Sequence, residues 1–257
     1  MNGYVRDAER VTRDASKMQG SRSYASRVPR LVSRTFTIML AACASAATLS
    51  ADRSIAGIWF PDPARSERLP KDAPFTKEGK ATVDEWRATH HPTEDDPGKF
   101  CQAPGMPSLS LGGADYPVEI IETPKQITIL TELHQQVRRV FMTGKHPDDV
   151  FPQRNGHSIG RWEGETLVID TIGIRAITFG AVPHSDQAHV VERLKKIGGA
   201  SLVNEISVTD PKMFTKTVVL HQYFKAGPPD ARMMEYECTE GMWEDHEKER
   251  KAKQSKK

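Results

Sequence analysis

Long apolar runs are missing from this chain. None of its 257 residues lies in a stretch approaching the roughly 18 apolar residues of a membrane-spanning helix. Cysteine is scarce, with three residues and no Cys-x-x-Cys or Cys/His cluster, which argues against a structural zinc site. No Gly-x-Ser-x-Gly motif is present, and that weighs against a nucleophile-elbow hydrolase. No glycine-rich phosphate loop follows a strand and opens a helix, so nothing calls for a nucleotide or another cofactor. A strong positive charge is also lacking. The net charge is +2, but residues 1–51 hold 8 Lys/Arg against 3 Asp/Glu, which leaves the remainder at −3. A mildly acidic body argues against nucleic acid as a partner, because that affinity rests on neutralising phosphates.

The amino-terminal 51 residues read as an address. Arg27, Arg30 and Arg34 precede a short apolar run, Phe36 to Ala47, which overlaps the small-residue stretch Ala44 to Ala51. Basic, apolar, small is the order of a secretory signal. Met18 can serve as the start, since residues 1–17 add nothing such a signal needs. Leu40-Ala41-Ala42-Cys43 resembles a bacterial lipobox, which would place a lipid on Cys43; the alternative is an ordinary cut near Ala51. Either way the expectation is export to the periplasm, soluble or lipid-anchored. Without Cys43, an even pair remains, Cys101 and Cys238. In an oxidising compartment such a pair reads as a disulfide, with two buried thiols as the alternative.

Residues 52–243 read as one β-rich domain, and 244–257 as a charged, low-complexity tail. Ile55 to Phe60 is a short strand, and Pro61 to Pro74 a Pro-rich loop. Thr76 has the character of an N-cap for a helix from Lys77 to Thr89, with Val83 and Trp86 on one side. An irregular stretch from His91 to Pro107 follows. Strands are then expected at 118–122, 126–133, 136–142, 157–162, 166–172, 189–195, 201–209, 215–224 and 232–239, mostly at hairpin spacing. An all-antiparallel meander of about nine strands closes best as a barrel, because closure removes exposed edges.

The hairpin from Asn155 to Thr171 is the sharpest local signal. Gly164 supplies the positive φ of a tight turn. With Glu163 and Gly164 as the loop, His157 lies opposite Asp170 and Ile159 opposite Val168. His157, Arg161 and Asp170 then share one face with Ile159 and Val168, while Trp162, Leu167 and Ile169 form the core face.

Several motifs together resemble a family of exported bacterial proteins. They are Gly57-Ile58-Trp59, the segment Cys101-Gln102-Ala103-Pro104-Gly105-Met106-Pro107, Tyr116-Pro117, Glu122-Thr123-Pro124 and the pair Arg138-Arg139. His146-Pro147, the run from Gly156 to Thr171, Pro183-His184-Ser185, His189 to Arg193 and Met234 to Cys238 complete the match. The resemblance covers most of residues 55–240. It implies a lipocalin-like barrel and brings no activity with it. The chain departs from the pattern between Gly173 and Val182, and again after Cys238.

The residues themselves offer chemistry. A carboxylate that orients an imidazole makes a general base near neutral pH, which gives His157 as base and Asp170 as its orienter. Arg161 on the same face could clamp an oxygen anion. The bland alternative is a polar cross-strand pair on a solvated face. A closed barrel could turn Arg139, His189, Glu192, His221 and Tyr223 toward a bound ligand, since each sits beside apolar strand residues. Arg138 and Arg139 alternate, so one points inward and needs an acidic partner such as Glu192. His184-Ser185-Asp186 has the residue types of a hydrolase triad, but adjacent residues do not adopt its geometry unaided. His146, His184 and His189 with Asp148, Asp149 and Glu192 lack metal-ligand spacing, so no metal is expected. The expected function is binding of a hydrophobic or aromatic small molecule, with cofactor-free acid/base chemistry of the isomerase, lyase or hydratase type. A non-catalytic periplasmic binding module and a structural envelope protein are the alternatives.

Overall fold

The computed structural model describes residues 53–91, 94–95, 97–111, 116–178, 182–236, 241, 244–245 and 248. The targeting segment 1–51 with Cys43, Cys238 of the expected disulfide, and most of the tail lie outside the described residues.

Nine strands close into one barrel in sequence order. They are β1 (Gly57–Pro61), β2 (Val118–Glu122), β3 (Gln126–Thr131), β4 (Gln136–Phe141) and β5 (His157–Glu163), then β6 (Thr166–Ile172), β7 (His189–Ile197), β8 (Ser201–Thr209) and β9 (Val218–Ala226). β9 pairs back onto β1, which closes the sheet. Gly164, with φ +60°, sits first in the two-residue turn between β5 and β6, as a type II′ hairpin requires.

Two expectations are corrected. The barrel is not wholly antiparallel: β4 and β5 pair in parallel, Val140 with Ser158 and Phe141 with Ile159. The segment 142–156 between them is long enough for the crossover that parallel pairing demands, and it carries Gly144, Pro147 and Pro152, which oppose a tight hairpin. Nor do Arg232 to Tyr236 form a strand; they run as irregular chain, beyond a barrel already closed by β9.

The single α-helix among the described elements, α1 (Lys77–Thr89), begins where the sequence places it. Thr76 accepts a hydrogen bond from the Gly79 amide at 2.9 Å. Gly79 lies so close to the Met213 backbone that a Cβ would overlap its carbonyl oxygen, so only glycine lets the helix approach. Val83 on its inner side joins an apolar cluster with Met106, Leu109, Val190, Ile206 and Val208. A second cluster, with Trp59, Ile120, Val140, Leu167, Leu194 and Phe224, fills the barrel along the other half of the strands.

Between the two apolar layers runs a polar belt. The inward positions of β7, β8 and β9 read Val190-Glu192-Leu194, Leu202-Asn204-Ile206 and Leu220-Gln222-Phe224, apolar on either side of a buried polar residue. Arg138 comes in from β4, 3% exposed, and meets the 1% exposed Glu192 in an ion pair. Its other donors reach Ser158 Oγ at 3.1 Å, Ser110 Oγ at 3.2 Å and Thr171 Oγ1 at 2.8 Å. Asn204 Nδ2 donates to Glu192 Oε1 at 2.9 Å. Burial pushes the Glu192 carboxyl up, but the Arg138 charge, with hydrogen bonds from Arg138, Ser110 and Asn204, outweighs it and holds the carboxyl below its ordinary range.

Ser110 arrives on the excursion between β1 and β2. Residues 105–111, including the Met106-Pro107 pair of the Cys-x-x-Pro-Gly-Met-Pro segment, are buried throughout. Leu109 and Ser110 line the internal cavity, which amounts to about 30 Å³.

Removing one member of the belt strands the other's charge. Arg138→Met is expected to destabilise the barrel by about 3–5 kcal/mol in urea unfolding, and Arg138→Met with Glu192→Met to recover most of that loss. Equal destabilisation by the single and double variants would contradict this role for the pair.

Candidate functional site

The working face of the β5–β6 hairpin lies on the outside of the barrel. Its observed register pairs His157 with Ile172, Ile159 with Asp170 and Arg161 with Val168. The expected register is therefore off by two residues, because the turn is Gly164-Glu165 rather than Glu163-Gly164. A slide of two preserves alternation, so the faces are unchanged: His157, Arg161 and Asp170 still share one side, and Leu167 and Ile169 are wholly buried on the other.

His157 and Asp170 are linked through a third residue: His146 stands between them. The loop 142–156 folds back over the hairpin. Gln153 N donates to the Gly173 carbonyl at 2.9 Å, and Arg175 N to the Gln153 carbonyl at 2.8 Å. Gly173 is required at that crossing, since its φ is +64° and a Cβ would strike Val150. So anchored, the loop sets His146 Nδ1 2.8 Å from His157 Nδ1 and His146 Nε2 3.1 Å from Asp170 Oδ1. His189, from the start of β7, brings its Nε2 to 3.0 Å from the same oxygen. The His157 ring stacks on Phe141 with centroids 5.1 Å apart.

Protons can be assigned from valence. An ionised carboxylate only accepts, so His146 and His189 both carry hydrogen on Nε2. A neutral His146 then has its lone pair on Nδ1, and His157 Nδ1–H donates to it. The lone pair of His157 is left on Nε2. The result is a chain, His157 to His146 to Asp170, with His189 as a second donor to the carboxylate. Burial, and secondarily the repulsion of two adjacent rings were His146 protonated too, lower the His157 pKa below the ordinary histidine value, which keeps the ring neutral near pH 7.

The other expected residues take different places. Arg161 is exposed and bound to Glu163, with Nη2 to Oε1 2.7 Å, and Glu163 also pairs with Arg193 at 3.0 Å. Its guanidinium belongs to an exposed ion-pair network on the same outer face. Arg139 points outward and its neighbour Arg138 inward; alternation allows one, and Glu192 waits inside for Arg138. His221 and Tyr223 also face outward, because Leu220, Gln222 and Phe224 occupy the inner positions of β9. His221 Nδ1 is 3.0 Å from Glu67 Oε2, and Arg65 lies over the Tyr223 ring at 4.2 Å. Of the expected ligand-facing set, Glu192 alone lines the lumen, and His189 joins the outer array instead.

The triad types separate as well. His184 is buried, with Nδ1 3.0 Å from the Val182 carbonyl oxygen and Nε2 3.1 Å from that of Arg175. Ser185 Oγ donates to Asp210 and Asp186 pairs with Lys212. Among the described residues no three His, Cys, Asp or Glu side chains are placed to hold a metal ion in common.

No family model and no curated protein matches the chain. Solved structures do align with it. The fluorescent protein UnaG, wild type, is 16% identical over 67% of this chain and 97% of its own, with a TM-score of 0.33. A point mutant of the same fluorescent protein is 14% identical over 69% and 98%, also at 0.33. The REP1-NXSQ fatty acid transporter is 13% identical over 68% and 97%, at 0.28. At those scores the likeness carries no argument about this chain's site.

The array and His184 make the fold sensitive to acid. Burial lowers the pKa of both His157 and His184, so the unfolded chain takes up protons first as pH falls. Stability is full above the ordinary histidine value of about 6.5 and declines as pH drops below it toward the lowered folded-state values. The melting temperature is expected to fall between pH 7 and 5, with a shallower slope in His157→Gln and in His184→Gln. An unchanged slope in both variants would contradict it. Loss of the Glu192 contribution belongs to a lower window, since its folded-state pKa lies below the carboxylate value.

Proposed function

We propose that the chain is an exported, lipocalin-like barrel that acts on a small hydrophobic or aromatic molecule by acid/base chemistry on its outer wall. In this reading His157 Nε2 abstracts or delivers the proton. His146 takes up the change at His157 Nδ1, and Asp170 stabilises the positive charge that develops on the paired rings. The observation that carries the reading is His146, whose two ring nitrogens join His157 on one side and Asp170 on the other. A carboxylate held through one imidazole onto a second fixes the tautomer and orientation of the base, and the lowered His157 pKa leaves it unprotonated near pH 7. Phe141, stacked on His157, offers an apolar wall beside the reacting nitrogen. Isomerisation, elimination and hydration each need such a base and no cofactor. Export, the periplasmic compartment and membership of the family with the Gly156 to Thr171 motif are parts of the same proposal.

A second reading has its own support. The cavity beside Arg138 and Glu192 is small and that buried charge pair is self-neutralised, as suits a structural envelope protein.

A generic probe of base strength separates the two. A nitrobenzisoxazole opens to a cyanophenolate when a base removes its ring C–H and the N–O bond breaks. The parent protein is expected to accelerate that opening. His157→Ala should lower the rate by about 100-fold, the usual scale of a general base, and Asp170→Asn should also lower it. A parent without acceleration, or variants indistinguishable from it, would remove the enzymatic reading.

A further inference from the structure

A second concavity lies at the opposite end of β4 from Phe141 and His157. On the outside of β3 and β4, beside the turn Leu133–Gln135, a groove of about 350 Å³ is lined by Leu130, Val137, Met233 and Met234, together with Glu132 and Glu235. That volume falls within the range of small-molecule sites, whereas the cavity beside Arg138 and Glu192, at about 30 Å³, does not. Val137 is 42% and Met234 69% exposed, so an apolar floor stands open to solvent.

Thr131 lines both the groove and the internal cavity. It is 5% exposed, and its hydroxyl has no hydrogen-bond partner among the described residues. Gln136, its cross-strand partner, is buried with both amide atoms in the same condition, and so is Asn204 Oδ1 in the cavity wall. Buried polar atoms are almost always paired, so a cluster of orphans marks a place for an additional polar group. The cluster comprises a hydroxyl, a whole carboxamide and a carbonyl oxygen. It donates and accepts, and it carries no charge. The charges nearby disfavour an anion: Arg138 is neutralised by Glu192, and both charged residues lining the groove are acidic.

We propose that this groove binds a neutral amphiphile, with an alkyl body against Leu130, Val137, Met233 and Met234 and a hydroxyl or carboxamide head turned inward onto Thr131, the residue that the groove shares with the internal cavity. A fatty carboxylate is excluded by Glu132 and Glu235, and by the absence of a free cation among the groove-lining residues. The inference stands apart from the acid/base reading, because none of its residues belongs to the histidine array.

The test is displacement of neutral fluorescent N-phenyl-1-naphthylamine from the full chain at pH 8. Dodecanol and dodecanamide are expected to compete at concentrations at least about tenfold below dodecanoate, since like charges at a binding surface are strongly disfavoured. Thr131→Val, which preserves shape and removes the hydroxyl, should weaken dodecanol about fivefold, the worth of one neutral hydrogen bond. Val137→Glu, at an exposed position the fold tolerates, should weaken probe and competitors together. His157→Ala should leave all three competitors unchanged. Failure of the probe to bind, dodecanoate competing as well as dodecanol, or Thr131→Val leaving dodecanol unaffected would each overturn the proposal.

Discussion

Arg138 and Glu192 constrain what the inside of this barrel can be. Two charges taken out of water are tolerable only when each satisfies the other and the remaining donors and acceptors are filled. Ser158, Thr171, Ser110 and Asn204 fill them, from β5, β6, the β1–β2 excursion and β8. The belt therefore ties four parts of the chain to β4 and β7 at one level of the barrel. It also draws the segment around Met106 to Leu111 inward, because Ser110 must reach Arg138. That segment and the neutralised pair occupy the middle of the barrel.

The histidine array depends on the same architecture from the other side. Asp170 and Thr171 are neighbours on β6, one turned out to the histidines and the other in to Arg138. Glu192 and His189 hold the corresponding places on β7, three residues apart and on opposite faces. The Arg138–Glu192 belt thus ties together the strands from which Asp170 and His189 project. The parallel joint between β4 and β5 creates the long crossover that carries His146 to them. Arg154, on the same crossover, donates to the Ala103 carbonyl oxygen at 2.5 Å, so the loop bearing His146 and the segment filling the barrel are joined directly.

Much of the strand order is legible in the sequence, because turns announce themselves. Gly164, Gly198 with Gly199, and Thr123-Pro124-Lys125 stand between the hairpin strands, and Thr76 before α1. The faces of the central hairpin are legible even though its register is not, since a two-residue slide leaves alternation intact. Alternation alone does not say which face is inside. For that reason the pattern offers Arg139, His221 and Tyr223 as ligand-facing, whereas Arg138, Gln222 and Phe224 hold those positions. A signal for the true interior is present: three successive strands each carry a polar residue between two apolar ones at spacing two. His146 carries no comparable signal. Its contact with His157 and Asp170 comes from the path of a crossover whose parallel sense no local motif encodes.

Whether the three histidines and Asp170 act as one proton-transfer unit is decided most directly by imidazole nitrogen NMR across a pH titration. The expected result is His157 protonating below the ordinary histidine range, with its neutral form carrying hydrogen on Nδ1, and Asp170→Asn shifting that protonation through His146. A His157 ring that protonates at the ordinary value, and that ignores the loss of the Asp170 charge, would contradict it.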